Sequence, residues 1–363
     1  MRLRIHLVAG ARPNFMKIAP LYHVLRKETW ADPVIVHTGQ HQDPSMSCVF
    51  LQELDLPAPH FNLGAGGGSH AEVTAAVLVG YERVCREEPP DCVVVVGDVN
   101  STLAAALAAK KLALPVVHLE AGLRSFDRSM PEEINRIATD AISDLLWTPS
   151  EDADANLRHE GVAEDRIVRT GNVMIDAYES LAPKIHAANA ASRFGLTAKG
   201  YGVVTLHRPN NVDDSGVLEG IVRQLEMLSA ELLLIFPVHP RTRKMLDSLA
   251  RPSRVTVVDP LGYIDFMSLV ENAALVITDS GGVQEETTYV GIPCLTVRST
   301  TERPITLRLG TNKLVRRDQI AVAAREVLKS PAPARPVIPL WDGAAARRMA
   351  ESLRSSAESI LRA

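Results

Sequence analysis

Apolar and polar positions along this 363-residue chain repeat with two periods. Short β-branched or aliphatic runs at residues 3–9, 34–38, 92–96, 116–119 and 145–148 predict strands. Between them, apolar residues recur at helical spacing over 13–28, 70–88, 101–112 and 132–142. A second series starts near residue 202, with strands expected at 203–206, 232–238, 254–258, 275–278 and 294–297. Its helices are expected at 216–228, 241–249 and 283–289. Strands alternating with helices imply parallel sheets covered on both faces. The unbroken runs VVVV at 93–96 and LLLIF at 232–236 suit strands buried on both sides. A closed barrel competes with this architecture, but the Ala-rich stretch 180–199 carries no strand signal and separates two series of similar length. The expected fold is therefore α/β, with two Rossmann-like domains facing a cleft. Their bounds are placed at 1–171 and 172–345, and a terminal helix at 346–363 is expected to return to the first domain.

Composition narrows the class without naming a function. The chain is 46% hydrophobic and 23% charged, too apolar and too weakly charged for disorder. Its 39 basic and 43 acidic residues leave a net charge of −4, against the basic stripe of a nucleic-acid binder. No apolar run exceeds strand length, so no membrane span is expected. Arg4 and His6 interrupt the first apolar run, which rules it out as an export-signal core. Cys48, Cys85, Cys92 and Cys294 lack CxxC spacing and read as reduced core thiols of a cytoplasmic protein, with no metal bound.

Polar residues concentrate where strands end, which is where open parallel sheets bind ligands. Gly10-Ala11-Arg12-Pro13 follows the first strand; Pro13 suits a first helical turn, and Arg12 and Lys17 face either an anion or solvent. Gly97-Asp98-Val99-Asn100-Ser101 follows the third, where Asp98 serves either as a helix cap or as an acid. Glu120 comes directly after the fourth strand, an odd place for a carboxylate without a task. Glu132 and Glu133 open a helix, where the dipole alone favours them. Together, three such carboxylates in one half-chain read as acid/base machinery. In the second half, His207 stands beside Arg208, and a lone His239 follows another strand. Thr278-Asp279-Ser280-Gly281-Gly282 leads from a strand into a helix, presenting unpaired N–H groups to a phosphate. Glu286, a turn later, is placed for the hydroxyls of a sugar such as ribose. The GK[ST] of a Walker loop is missing, and no GxGxxG follows the first strand, so no tightly held dinucleotide is indicated. The glycines at 64–68 follow no expected strand and read as a flexible loop.

In order, ARPNFMKIAPL, HTGQH, GDVNST, HLEAGLRS, MPEEINR, TGN, LHRPNNV, VHPRT, TDSGGVQEE and TTERP span residues 12 to about 311. This collinear set resembles the non-hydrolysing UDP-N-acetylglucosamine 2-epimerases. The resemblance implies a glycosyltransferase-B-like pair of domains, no metal or nicotinamide, a homodimer, and a place in cell-surface polysaccharide synthesis. It puts the uracil near Phe266 and the ribose on Glu286. The diphosphate falls to Ser280, Gly281, Gly282, Arg12 and His207, with Lys17 and Arg303 nearby. The sugar faces Asp98, Glu120 and Glu132. In such enzymes UDP is eliminated to leave 2-acetamidoglucal, then added back after C2 is protonated from the other face. Breaking the C1–O bond first makes the C2 proton acidic enough for a carboxylate. Two opposed proton transfers then require at least two acid/base groups, here Asp98 and Glu132, with Glu120 assisting. A hydrolysing relative, a glycosyltransferase of the same architecture, and a UDP-sugar sensor are the alternatives. Three departures stand out: Asn14 and Asn210 where many members have glutamate, and Ile305 where they have TERPE. Asn210 and Ile305 thereby remove carboxylates, so the preferred sugar can differ. Asp43 and Pro209 replace expected contacts for a second, activating substrate molecule, leaving Gln40 alone and predicting weak or absent activation.

Overall fold

The computed structural model describes residues 2–39, 51–247, 254–331 and 334–360; Gln40, Asp43 and Cys48 lie outside them. The chain divides into two compact units, Met1–Ser180 with Pro339–Ala363, and Leu181–Ile338, in place of bounds at 171 and 345. The division falls inside the helix Val173–Ala188, whose helical spacing hides it from a search for linkers.

The first unit holds a seven-stranded parallel sheet: β1 (Leu3–Ala9), β2 (Ala31–His37), β3 (Phe61–Asn62), β4 (Cys92–Val96), β5 (Val116–Leu119), β6 (Leu145–Thr148) and β7 (Ile167–Arg169). Their order is β3-β2-β1-β4-β5-β6-β7. The second unit repeats the scheme with β8 (Tyr201–Thr205), β9 (Leu233–Pro237), β10 (Val255–Val258), β11 (Leu275–Thr278), β12 (Cys294–Thr296) and β13 (Asn312–Leu314). It runs β10-β9-β8-β11-β12-β13. Both are open sheets, which excludes a barrel. Each order reverses beside its first strand, between β1 and β4 and between β8 and β11, the switch points where a crevice opens at the strand ends. Each unit also has its own core: Val34, Val77, Val93 and Val95 belong to the first, and Val204, Leu225, Phe236 and Ile277 to the second.

β3, β7 and β13 carry no signal in the sequence pattern, because each has only two or three residues and includes part-exposed positions. The glycine loop at 64–68 therefore follows an edge strand after all, and it is built rather than slack. Gly39, at φ +84°, packs so closely on Gly64 that a Cβ would lie 2.8 Å from its Cα. Ser69 then caps the helix His70–Glu87, accepting from the Glu72 N–H while Glu72 accepts from the Ser69 N–H.

The terminal helix Ala345–Ile360 belongs to the first unit. Asp176 accepts from the N–H groups of Ala345 and Ala346 at 3.1 and 2.8 Å, satisfying its opening turn. Ser352 accepts from Trp147 Nε1, and Trp341 Nε1 donates to the Pro149 carbonyl. Gly171, at φ +88°, makes the approach possible: a Cβ there would sit 2.1 Å from the Leu340 carbonyl oxygen. Gly171→Ala is expected to destabilise the first unit by about 2 kcal/mol or more, from clash plus left-handed backbone. Urea unfolding followed by tryptophan fluorescence reads that unit, since Trp30, Trp147 and Trp341 all belong to it. An unchanged midpoint would contradict the expectation.

Candidate active site

Register assembles the first unit's polar cluster. β4 pairs Val96 with Leu119 of β5, which brings Gly97 beside Glu120, and the Gly97 N–H donates to the Leu119 carbonyl. Glu120 has a φ of +73°, uncommon for a residue with a Cβ, and its carboxylate is ion-paired with the Lys17 ammonium. Both side chains are about nine-tenths buried. Gly97 closes over them: a Cβ at this position would meet Glu120 Oε2 at 3.3 Å and Lys17 Nζ at 3.4 Å. Asn14 fastens β1 to β4, accepting from the Ala11 N–H at 2.8 Å and the Gly10 N–H at 3.2 Å while donating to the Val96 carbonyl at 3.1 Å.

Asp98 does not cap the next helix, Asn100–Lys111, whose N-cap is Val99. Its carboxylate is engaged by Arg136, and its carbonyl accepts from Asn135. Arg136 also grips Glu133, which is almost fully buried and takes bonds from Ser125 N, Ser125 Oγ and Phe126 N. Burial opposes the charge on Glu133, but these amides and Arg136 outweigh it and lower its pKa. Glu132, its neighbour, is half-buried and makes no hydrogen bond or ion pair with the described residues. Beneath the cluster, His118 donates from Nε2 to the Gly97 carbonyl at 2.8 Å and meets Asp140 through Nδ1 at 2.5 Å. Asp140 is fully buried; His118 and Arg124 more than offset its desolvation and lower its pKa. Arg12 opens the helix Arg12–Leu25 and is partly desolvated, which lowers its pKa while Glu53 pulls the other way.

The second unit builds on its own switch point. β8 and β11 pair Thr205 with Thr278, so the segments that follow them lie side by side. Asp279 is fully buried and accepts from the N–H groups of His207 and Arg208 and from Asn211 Nδ2. It also meets His207 Nδ1 at 2.9 Å. Its pKa is lowered, because His207, Asn211 and the Arg208 amide outweigh desolvation. With Nδ1 so engaged, His207 offers Nε2 to a ligand.

Ser280, Gly281 and Gly282 then start the helix Gly281–Val290, whose first N–H groups have no partner within the helix. Gly281 is crowded, for a Cβ would lie 2.5 Å from Arg303 Nη1 and 2.7 Å from Glu302 Oε1; at Gly282 a Cβ would meet nothing within 4 Å. Arg303 is ion-paired with Glu285 at 3.0 Å and Glu302 at 2.5 Å, and Arg298 reaches Glu302 at 2.7 Å. Desolvation opposes the Glu302 charge, yet Arg303, Arg298 and Arg208 keep its carboxyl far below the usual range. Glu286 behaves oppositely. Burial pushes its pKa up to about 8, with Tyr263 and Arg303 pulling down and Glu285 adding to the rise. Phe266 is half-buried, three residues beyond Tyr263 on the helix Tyr263–Asn272. His239 has a local task instead, accepting from the Arg241 N–H as a helix cap.

The structure thus groups Lys17, Asp98 and Glu120 in the first unit, and His207, Ser280, Gly281, Gly282, Glu286 and Arg303 in the second. Sequence reasoning missed the charged residues that hold them: Arg136, Asp140, Arg124, Asp279, Glu285 and Glu302. Their signal was available, since Arg136 and Asp140 sit four apart on one helix face and Asp279 follows an apolar strand directly.

Comparisons with known proteins place the chain in a family. A family-wide pattern described as UDP-N-acetylglucosamine 2-epimerase matches residues 23–354. The UDP-N-acetylglucosamine 2-epimerase of Methanocaldococcus jannaschii is 42% identical over 326 residues, 86% of this chain and 88% of that protein. The UDP-2,3-diacetamido-2,3-dideoxy-D-glucuronate 2-epimerase of Pseudomonas aeruginosa is 42% identical over 332 residues, 90% of this chain and 92% of the other. A crystal structure of the M. jannaschii enzyme, in complex with UDP-GlcNAc and UDP, superposes with a TM-score of 0.90 at 39% identity, covering 97% of this chain and 100% of that one. Fold, motif order and these relatives converge: the chain belongs to the UDP-N-acetylglucosamine 2-epimerase family and is an epimerase of nucleotide sugars.

Proposed function

We propose that the chain reversibly inverts C2 of UDP-N-acetylglucosamine, or of a closely related UDP-2-acetamido sugar, by eliminating UDP and adding it back. The observation that carries this reading is that each unit, taken by itself, holds one half of the required chemistry at its switch point. One has carboxylates held by cations, Asp98 with Arg136 and Glu120 with Lys17. The other has an anion cradle of glycine amides with His207 beside it. Elimination needs both chemistries. The Gly281 and Gly282 amides, His207 and Arg12 take up the charge that develops on the departing diphosphate, the Ser280 N–H being already given to Thr278 Oγ1 at 3.0 Å, and losing one such donor typically costs ~100–1000-fold in rate. Asp98 and Glu132 exchange the C2 proton on opposite faces of the flattened ring, with Glu120 assisting. Glu132 makes no ion pair with the described residues, so proton transfer there requires none of those to break. Glu286 binds the ribose, and Phe266 lies by the uracil.

The sugar class is broader than a single compound. Relatives of equal identity are named for UDP-N-acetylglucosamine and for a 2,3-diacetamido uronate. Asn210 is exposed, and Ile305 is buried where a carboxylate would be costly. We also propose homodimer assembly, a cytoplasmic setting and a role in cell-surface polysaccharide synthesis, on the resemblance to the family; the buried free thiols of Cys85, Cys92 and Cys294 suit a reducing compartment.

Proton NMR of the enzyme with UDP-N-acetylglucosamine in deuterated buffer should show deuterium entering C2 with no acceptor present. Asp98→Asn and Glu132→Gln should each abolish it at least ~100-fold. Mostly free sugar and UDP at long times would indicate a hydrolase instead, and no exchange without an added acceptor would indicate a glycosyltransferase.

The raised pKa of Glu286 yields a second test with a definite sign. Between its ordinary 4.5 and about 8, the folded chain keeps a proton that the unfolded chain has released. The stability it contributes is complete below about 4.5 and is lost as pH rises towards about 8. Glu286→Gln, permanently neutral, should therefore melt close to wild type at pH 5 and above it at pH 8. Parallel melting curves across that range would show that Glu286 is already ionised. The same variant should bind UDP more weakly by calorimetry.

A further inference from the structure

We propose that Arg136 is the positioning residue of the proton-transfer site: it sets the orientation and ionisation of Asp98 and, through Glu133, couples Asp98 to the loop that carries Glu120. The inference rests on reading Asp98 as an acid/base group. Arg136 is only 3% exposed, and its two terminal nitrogens are divided between two carboxylates, Nη2 on Asp98 and Nη1 on Glu133. A planar guanidinium can hold this fork in one geometry, whereas a lysine, being a point charge, cannot bridge both. Glu133 is fixed from its other side. Its Oε2 accepts from Ser125 N at 2.9 Å and Ser125 Oγ at 3.0 Å, and its Oε1 accepts from Phe126 N at 2.8 Å. Ser125 and Phe126 end the segment that begins at Glu120, and Phe126 is held at φ +58°, a conformation a bulky side chain rarely takes unaided. The chain Asp98–Arg136–Glu133–Ser125 thus links the end of β4 to the loop after β5 by side chains alone.

Other charges near Asp98 are already committed. Across Gly97 lie Lys17 and Glu120, paired with each other; below its carbonyl lie His118 and Asp140, likewise paired. Asn135, on the same helix as Arg136, bonds the Asp98 carbonyl and leaves the carboxylate to the guanidinium. Arg136 is a cation that meets the Asp98 carboxylate directly.

The test compares Arg136→Ala, Arg136→Lys and Asp98→Asn in the full-length enzyme, measuring C2 deuterium exchange against pH with UDP binding by calorimetry as a check on folding. Arg136→Ala should lower kcat roughly 100-fold, as displacement of a reacting group does, while UDP affinity holds. The acidic limb of its pH profile should move up by about one to three units, the usual effect of an adjacent guanidinium on an aspartate. Added guanidinium ion, below denaturing concentration, should restore part of the rate and return the limb towards wild type; Arg136→Lys should restore the limb but not the rate. If Arg136→Ala does not fold, Arg136→Lys decides: wild-type kcat there removes the need for the fork and overturns the proposal. A wild-type limb in Arg136→Ala, or no guanidinium rescue, overturns it as well. Should Asp98→Asn itself retain exchange, the reading of Asp98 fails, and that outcome is distinct from an inactive Asp98→Asn accompanied by a fully active Arg136→Ala.

Discussion

A carboxylate carried out of water must be given back both charge and hydrogen bonds, or it picks up a proton. This constraint organises the polar half of the molecule. At the carboxyl ends of its parallel strands the chain buries Glu120, Glu133, Asp140, Asp279, Glu285 and Glu302, and supplies each with a cation or with backbone amides. The amides come from loops that must then follow one path. Asp279 gathers the N–H groups of His207 and Arg208, so the β8 loop closes around the end of β11. Glu133 does the same for Ser125 and Phe126. Breaking one partner of such a pair typically costs about 3–5 kcal/mol, because the other charge is left uncompensated. Electrostatics therefore fixes these loops more firmly than apolar packing would.

Glu286 is the exception that shows the rule. It shares its helix with Glu285, but Arg303 is committed to Glu285 and Glu302, and the surplus carboxyl keeps its proton near neutral pH. A neutral carboxyl donates as well as accepts, which suits a partner for vicinal hydroxyls better than a bare carboxylate would. Two neighbouring glutamates on one turn thus acquire different states and different tasks. Glu132 and Glu133 also differ in the first unit: Glu132 makes no ion pair with the described residues, and Glu133 is locked beneath a loop.

Much of this was legible in the chain because strand ends are visible in sequence. The runs before Gly10, Gly97, Glu120 and Asp279 are apolar enough to locate the sheets, and a polar residue directly after such a run has few structural reasons to be there. Edge strands such as β3 and β13 stayed hidden, since two or three part-exposed residues leave no alternation to detect. Sequence left capping open at Asp98, because a side chain that can cap a helix can equally well reach a guanidinium on another one, and the fold decides against the cap. The partner of Lys17 lies 103 residues away, and no local pattern encodes such a distance. His207 was legible as an anion partner, but the buried Asp279 that orients its ring was read merely as part of a phosphate loop.

The departures from the family pattern take on a different meaning once their surroundings are known. Asn14 stands where many members carry glutamate, yet its amide uses both ends, accepting from two backbone N–H groups and donating to the Val96 carbonyl. A carboxylate could keep the first two bonds but would face the carbonyl with like polarity. Asn14 is thus a clamp on the two central strands, not a catalytic carboxylate that has been lost. Ile305 is buried, so its role is to fill volume. Asn210 is exposed and contributes its carbonyl to Arg317, which also reaches Asn211 and so steadies the loop behind His207. None of the three supplies a charge to a sugar. Of the carboxylates expected to serve as acids or bases, Glu132, half-buried on the first turn of its helix, differs from Asp98 and Glu120 in making no ion pair with the described residues.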